Sequence, residues 1–192
     1  MNTVKGHRQS TFAGILSIIA GVIVLLCVTV ADTQKVYAEL QEYEVKAAFL
    51  FNFAKFVEWP EGSFKNSEAP LIISILGKDP FAGALDAIKE KTINGRGIVV
   101  KRAPSLEHLE RSHILFVCKS ERDNLPKILD IAQKWNALTV GDMKGFAGSG
   151  GMINLVKTEE KIRFEINLSA TEKANLKVSS KLLKLGSIVH NN

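Results

Sequence analysis

Few residues in this chain have both the type and the spacing that chemistry would need. His108, His113 and His190 stand at no zinc-type spacing from a cysteine or a carboxylate. No Gly-x-Ser-x-Gly turn presents a nucleophile. A catalyst is therefore not expected, nor a metal or other cofactor. Asp79 and Asp142 each follow an apolar run of strand length. They would fall just past the carboxyl ends of strands, where open parallel sheets place ligands. An aspartate there also makes turns. The two form a joint acidic site only if their strands are neighbours, and no third metal ligand is apparent.

Two further stretches bear on binding. Gly141 to Gly151, GDMKGFAGSGG, is rich in glycine but lacks the Gly-Lys-Ser/Thr ending of a phosphate loop. A strand pattern follows it instead of a helix, so its glycines read as backbone freedom. In Lys161 to Leu168, KIRFEINL, the residues Ile162, Phe164, Ile166 and Leu168 alternate with Arg163, Glu165 and Asn167. One face of that strand is core. The other meets water or a partner, to which the charged row offers strong hydrogen bonds.

These residues need a scaffold, and the pattern supplies one. Glu42 to Pro60, EYEVKAAFLFNFAKFVEWP, reads as a helix stopped by Pro60. Val45, Phe49, Phe53, Phe56 and Val57 would share its inner face, with Tyr43 and Leu50 flanking. Phe51 falls instead on the polar side near Glu44 and Lys55, where either a later loop or a partner covers it. LIISIL (71–76), IVVK (98–101), HILFVC (113–118) and ALTVG (137–141) are strands. Helices expected over about 80–90, over 105–111 and from about 120 to Trp135 alternate with them, which argues a largely parallel sheet flanked by helices. MINLV and KIRFEINL, joined by Lys157 to Glu160, add a C-terminal antiparallel hairpin. A turn over 169–174 and a helix over 179–185, stopped by Gly186, end the pattern. The fold class is a compact single-domain α/β body.

The chain has 192 residues, of which 46% are hydrophobic and 23% charged, enough for one core. Lys5 and Arg8 precede a nearly unbroken apolar run, Phe12 to Val30, and Val36-Tyr37-Ala38 offers a cleavage site. Residues 1–38 are thus expected to be a signal peptide, a retained anchor being the other outcome, and 39–192 the exported domain. Its 22 basic against 19 acidic residues are not clustered, so no nucleic-acid partner is expected. Only Cys118 remains after Ala38, which excludes an internal disulfide in the exported domain.

As a set, VKAAFLFNFAKFVEWP, ILGKDPF, HILFV, LTVGD-x-x-GFA-x-x-GGMINLV, RFEINL and LKVSSKLLKL resemble the YfiR family. The resemblance implies a dimeric periplasmic repressor that binds the periplasmic sensor domain of an inner-membrane diguanylate cyclase and lowers cyclic-di-GMP. It places partner contact around RFEINL, with Glu165 first and Ile153 and Thr171 beside it. Phe51 joins them as a candidate contact from the helix pattern. Similar repressors carry internal disulfides, whereas this chain has Ser74 and Ser112 at places where relatives often look oxidisable, and Ala147 and Asn154 flanking the glycine loop. The other reading is a periplasmic small-molecule binder using Asp79, Asp142 and the glycine loop.

Overall fold

A computed structural model describes residues 36–159 and 161–190. The chain divides into two units, Met1–Gln41 and Glu42–Asn192. In the first, residues 36–41 are described and are helical. The expected leader otherwise lies outside the described residues. Among the described residues, no helix is long and apolar enough to cross a membrane.

Within the second unit, helix α1 covers residues 42–56, about four turns. The strands are β1 (Val57–Glu58), β2 (Leu71–Leu76), β3 (Thr92–Ile93), β4 (Arg96–Ala103), β5 (Ile114–Val117), β6 (Leu138–Gly141), β7 (Ile153–Lys157), β8 (Ile162–Asn167), β9 (Lys177–Val178) and β10 (Ser187–Val189). The further helices are α2 (Asp86–Lys89), α3 (Leu125–Lys134), α4 (Leu168–Lys173) and α5 (Ser180–Leu183). Eight strands form one sheet in the order β10-β8-β7-β6-β5-β2-β4-β3, and β1 pairs with β9 apart from it. From β4 through β7 all neighbours are parallel. The β7–β8 hairpin is antiparallel, and β10 joins β8 in parallel at the edge. All four residues of the central β5 are fully buried, as a strand covered on both faces requires.

Residues paired across strands share a face, so register fixes the two sides. One side carries Ile73, Ile75, Ile114, Phe116, Val140, Ile153, Leu155, Phe164 and Ile166, and it packs on α1 and the C-terminal segment. The other carries Leu76, Ala103, Leu115 and Val117 under Leu125, Ile128 and Ala132 of α3. Pro126 in the first turn suits the start of α3, and Asn136 (φ 55°) ends it in the left-handed conformation that asparagine tolerates.

Several expectations shift. α1 stops at Phe56, before Pro60, because Val57 and Glu58 pair with β9 and the Phe56 carbonyl accepts from Ser179 N. Its buried face is Tyr43, Lys46, Ala47, Leu50, Phe53 and Ala54, while Val45 is 45% exposed and Val57 is buried from β1. Small Ala47 and Ala54 let the helix lie close to the sheet, and that turns Val45 outward. The helix expected over 80–90 shrinks to α2. Asp79 Oδ1 accepts from Phe81 N at 2.7 Å and Ala82 takes φ 47°, which together break a regular start. The helix expected over 105–111 is one 3₁₀ turn, Leu106–His108. Gly186 follows α5 without a left-handed backbone. A Cβ there would stand 2.5 Å from the ring of Phe164, so close packing requires the glycine.

Candidate functional site

The polar row of β8 lies on the α3 side of the sheet. Glu165 pairs with Asn154 on β7 and with Ser187 on β10. Asn154 Nδ2 donates to Glu165 Oε2 at 2.9 Å, which aims the half-buried carboxylate along the strip. Arg163, one pleat further, is exposed. Asn167 is fully buried: its Nδ2 donates to the Ala147 carbonyl at 2.7 Å, and its Oδ1 caps α4 through Ala170 N at 3.0 Å. The open part of the row is therefore Arg163 and Glu165, and the glycine loop closes the Asn167 end.

The other expected contact residues are placed differently. Ile153 is fully buried on the opposite sheet face, in register with Ile166. Thr171 is 1% exposed, and its hydroxyl donates to the Leu168 carbonyl at 2.8 Å. Both support the hairpin from within and present no side chain to solvent. Phe51 is half-buried against the α1-side core, with the Lys91 ammonium 5.0 Å from its ring centroid. It belongs to the α1 side of the sheet, so it does not share a patch with Glu165.

Asp79 and Asp142 do not meet, because β5 separates β2 from β6. Asp79 Oδ2 takes the Arg102 Nε–H at 2.6 Å. Asp142, with its side chain 2% exposed, receives Lys46 Nζ at 2.5 Å and the Tyr43 hydroxyl at 2.8 Å, with Lys119 Nζ at 3.5 Å. Lys46 also meets Glu42 at 2.6 Å, and Glu42 meets Lys157 at 2.6 Å. Burial pushes the Glu42 carboxyl up, but hydrogen bonds from Lys157 and Lys46 outweigh it and hold it below its usual range. This charge cluster pins α1 to the end of β6 and to the hairpin. Sequence reasoning missed Lys46. Its one signal was a lysine beside Ala47, on what proves to be the buried helix face.

The glycine loop works as a socket. Phe146 is fully buried in it, and a Cβ at Gly151 would come within 2.2 Å of that ring. Cys118 is 1% exposed, and burial, aided by the charges of Asp79, Asp142 and Glu121, pushes its thiol up to about 12. Among the described residues no group of three or more His, Cys, Asp or Glu could hold a metal ion.

A mixed α/β sheet with one polar hairpin flank left open is a frame suited to binding. The family model described as YfiR/HmsC-like (DUF4154) matches residues 43–187. The chain belongs to the YfiR/HmsC-like family. A search of curated proteins found no match. Among solved structures, the chain is similar to the ABC domain in complex with L-Trp from Streptococcus pneumonia, at 10% identity and a TM-score of 0.47, covering 62% of this chain and 55% of that one. The chain thus spans about half the length of that structure.

Proposed function

We propose that this chain is a periplasmic regulatory binding protein that represses an inner-membrane diguanylate cyclase by holding its periplasmic sensor domain. The family match over residues 43–187 carries the reading: it supports a periplasmic regulator of diguanylate cyclase signalling, in place of an enzyme. The open strip of the hairpin supplies the contact. Glu165 is its centre, with its carboxylate already oriented by Asn154. Arg163 flanks it, and Ile153 and Thr171 hold the strip from behind. Phe51 is a second contact on the α1 side, and the working form is a homodimer.

Repression needs a difference in affinity. A protein that grips one sensor conformation more tightly shifts the sensor toward it, and equal affinity for both shifts nothing. Reversing the central charge tests the reading. Glu165→Lys should weaken capture of the cyclase's periplasmic domain at least about tenfold, since a charge-assisted contact is lost and a like charge is introduced. Undiminished capture by a folded variant would remove the strip from the mechanism.

A further inference from the structure

A second uncovered region lies at the opposite flank of the same sheet face, over β2 and β4. A parallel crossover ordinarily lays a helix back on the sheet. Here the chain passes from β4 to β5 across β2 with only the 3₁₀ turn Leu106–His108. Ile72 is left half-buried, and its register partner Val99 is 39% exposed. Beside Ile72, the loop 61–70 walls a cleft of about 420 Å³. That volume falls within the roughly 300–1,000 Å³ of small-molecule sites.

The wall is rigid. Arg96 Nη1 donates to the carbonyls of Asn66 and Ala69, each at 2.8 Å, and its guanidinium lies 4.1 Å from the Phe64 ring centroid. His113 stacks on Phe64 at 4.2 Å and 12°. Its Nδ1 accepts from Ile72 N at 2.9 Å, so Nε2 carries the proton and donates to the Ser63 carbonyl at 3.1 Å. Both ring nitrogens are thereby used in holding the loop to β2.

The lining has an apolar body and an anion-seeking rim. Phe64, Ala69, Pro70 and Ile72 supply the apolar surface. The one lining carboxylate, Glu110, is taken by Lys101. Arg111 and Lys65 are exposed at the mouth and make no hydrogen bond or ion pair among the described residues. The Ser63 hydroxyl, buried in the wall, also has no partner among the described residues.

We propose that this cleft binds a small monoanion with a flat apolar body, an aryl carboxylate in class, with the body on Pro70 and Ile72 against the free edge of the Phe64 ring, whose faces His113 and Arg96 cover, and the carboxylate on Arg111. The guanidinium fork matches a carboxylate in two parallel hydrogen bonds. Because the cleft lies on the far flank from Glu165, it stands or falls separately from the regulatory reading.

Calorimetric titration with 1-naphthaleneacetate and its uncharged isostere 1-naphthaleneacetamide tests it on the purified whole protein. The acid should saturate one site, and the amide should bind at least about tenfold more weakly. Arg111→Glu, which breaks no internal contact, should weaken the acid at least about tenfold and leave the amide unchanged. Lys173→Glu, in the separate cleft lined by Pro126, Ser149 and Lys173, should change neither. Equal binding of acid and amide, an unaffected Arg111→Glu, or no saturation by about 10 mM would overturn the proposal, the last because so weak a site is no recognition site. Sedimentation covers the remaining occupant. A dimer that Arg111→Glu splits, with no acid bound, would assign the face to a second copy instead.

Discussion

The two flanks of the α3-bearing sheet face carry opposite chemistry on one framework. On the hairpin side, Glu165 and Arg163 alternate with core residues, and that surface is finished for water. On the β2–β4 side, Ile72 and Val99 keep the outward positions apolar, although only a 3₁₀ turn passes over them. The first flank is suited to a partner met through hydrogen bonds. The second is suited to a small apolar body with a charge at its rim. The difference shows that an open flank is not one kind of site: what its outward residues leave unsatisfied decides what it receives.

The comparison presumes a fixed frame, and the largest expected effect comes from loosening it. Lys46→Met leaves Asp142 and Glu42 with a buried charge poorly compensated, and urea unfolding should show a loss of about 3–5 kcal/mol. A loss under about 1 kcal/mol would mean that α1 is not pinned through this lysine. Gly151→Ala comes next. Its Cβ would meet the Phe146 ring, and the strain should cost about 1–3 kcal/mol in the same experiment. This would disturb the Asn167 end of the polar flank while sparing the far cleft.

A pH series separates the flanks further. Burial, with Arg111 and Arg96 nearby, holds the His113 imidazole below its ordinary value near 6.5 despite its hydrogen bond to Ser63. Below about pH 6.5 the unfolded chain takes up a proton that the folded one refuses. This contribution to stability is present above pH 6.5 and is lost as pH falls to the lowered native value. Melting temperature should therefore drop between neutral pH and that value, and His113→Gln should flatten the drop. An identical slope in the variant would exclude His113 as its source. The smallest expected effect is at Cys118. A thiol buried and raised to about 12 should resist alkylation in the folded protein and react only on unfolding.

How much of this was legible in the sequence depends on how local the cause is. The strands of LIISIL and HILFVC and the alternation of KIRFEINL need only their own residues, and they stand where the pattern put them. The rotation of α1 does not. It follows from Ala47 and Ala54 fitting against the sheet and from Lys46 finding Asp142 96 positions away. Strands β9 and β10 hold two and three residues, too few for an alternation to show. Glu165 was legible as an outward polar residue, whereas the burial of Ile153, Thr171 and Asn167 depended on what packs over them. The β2–β4 cleft was invisible, because it arises from the strand order that sends the β4–β5 connection across β2.

The central claim is that this protein acts by contact through the hairpin strip. Cyclic-di-GMP measured in cells that carry the partner cyclase, with Glu165→Lys in place of the wild type, tests it most directly. The account predicts a rise toward the level of cells lacking the protein, with the variant's abundance and melting temperature unchanged. A variant that is folded, abundant and still fully repressing would contradict it.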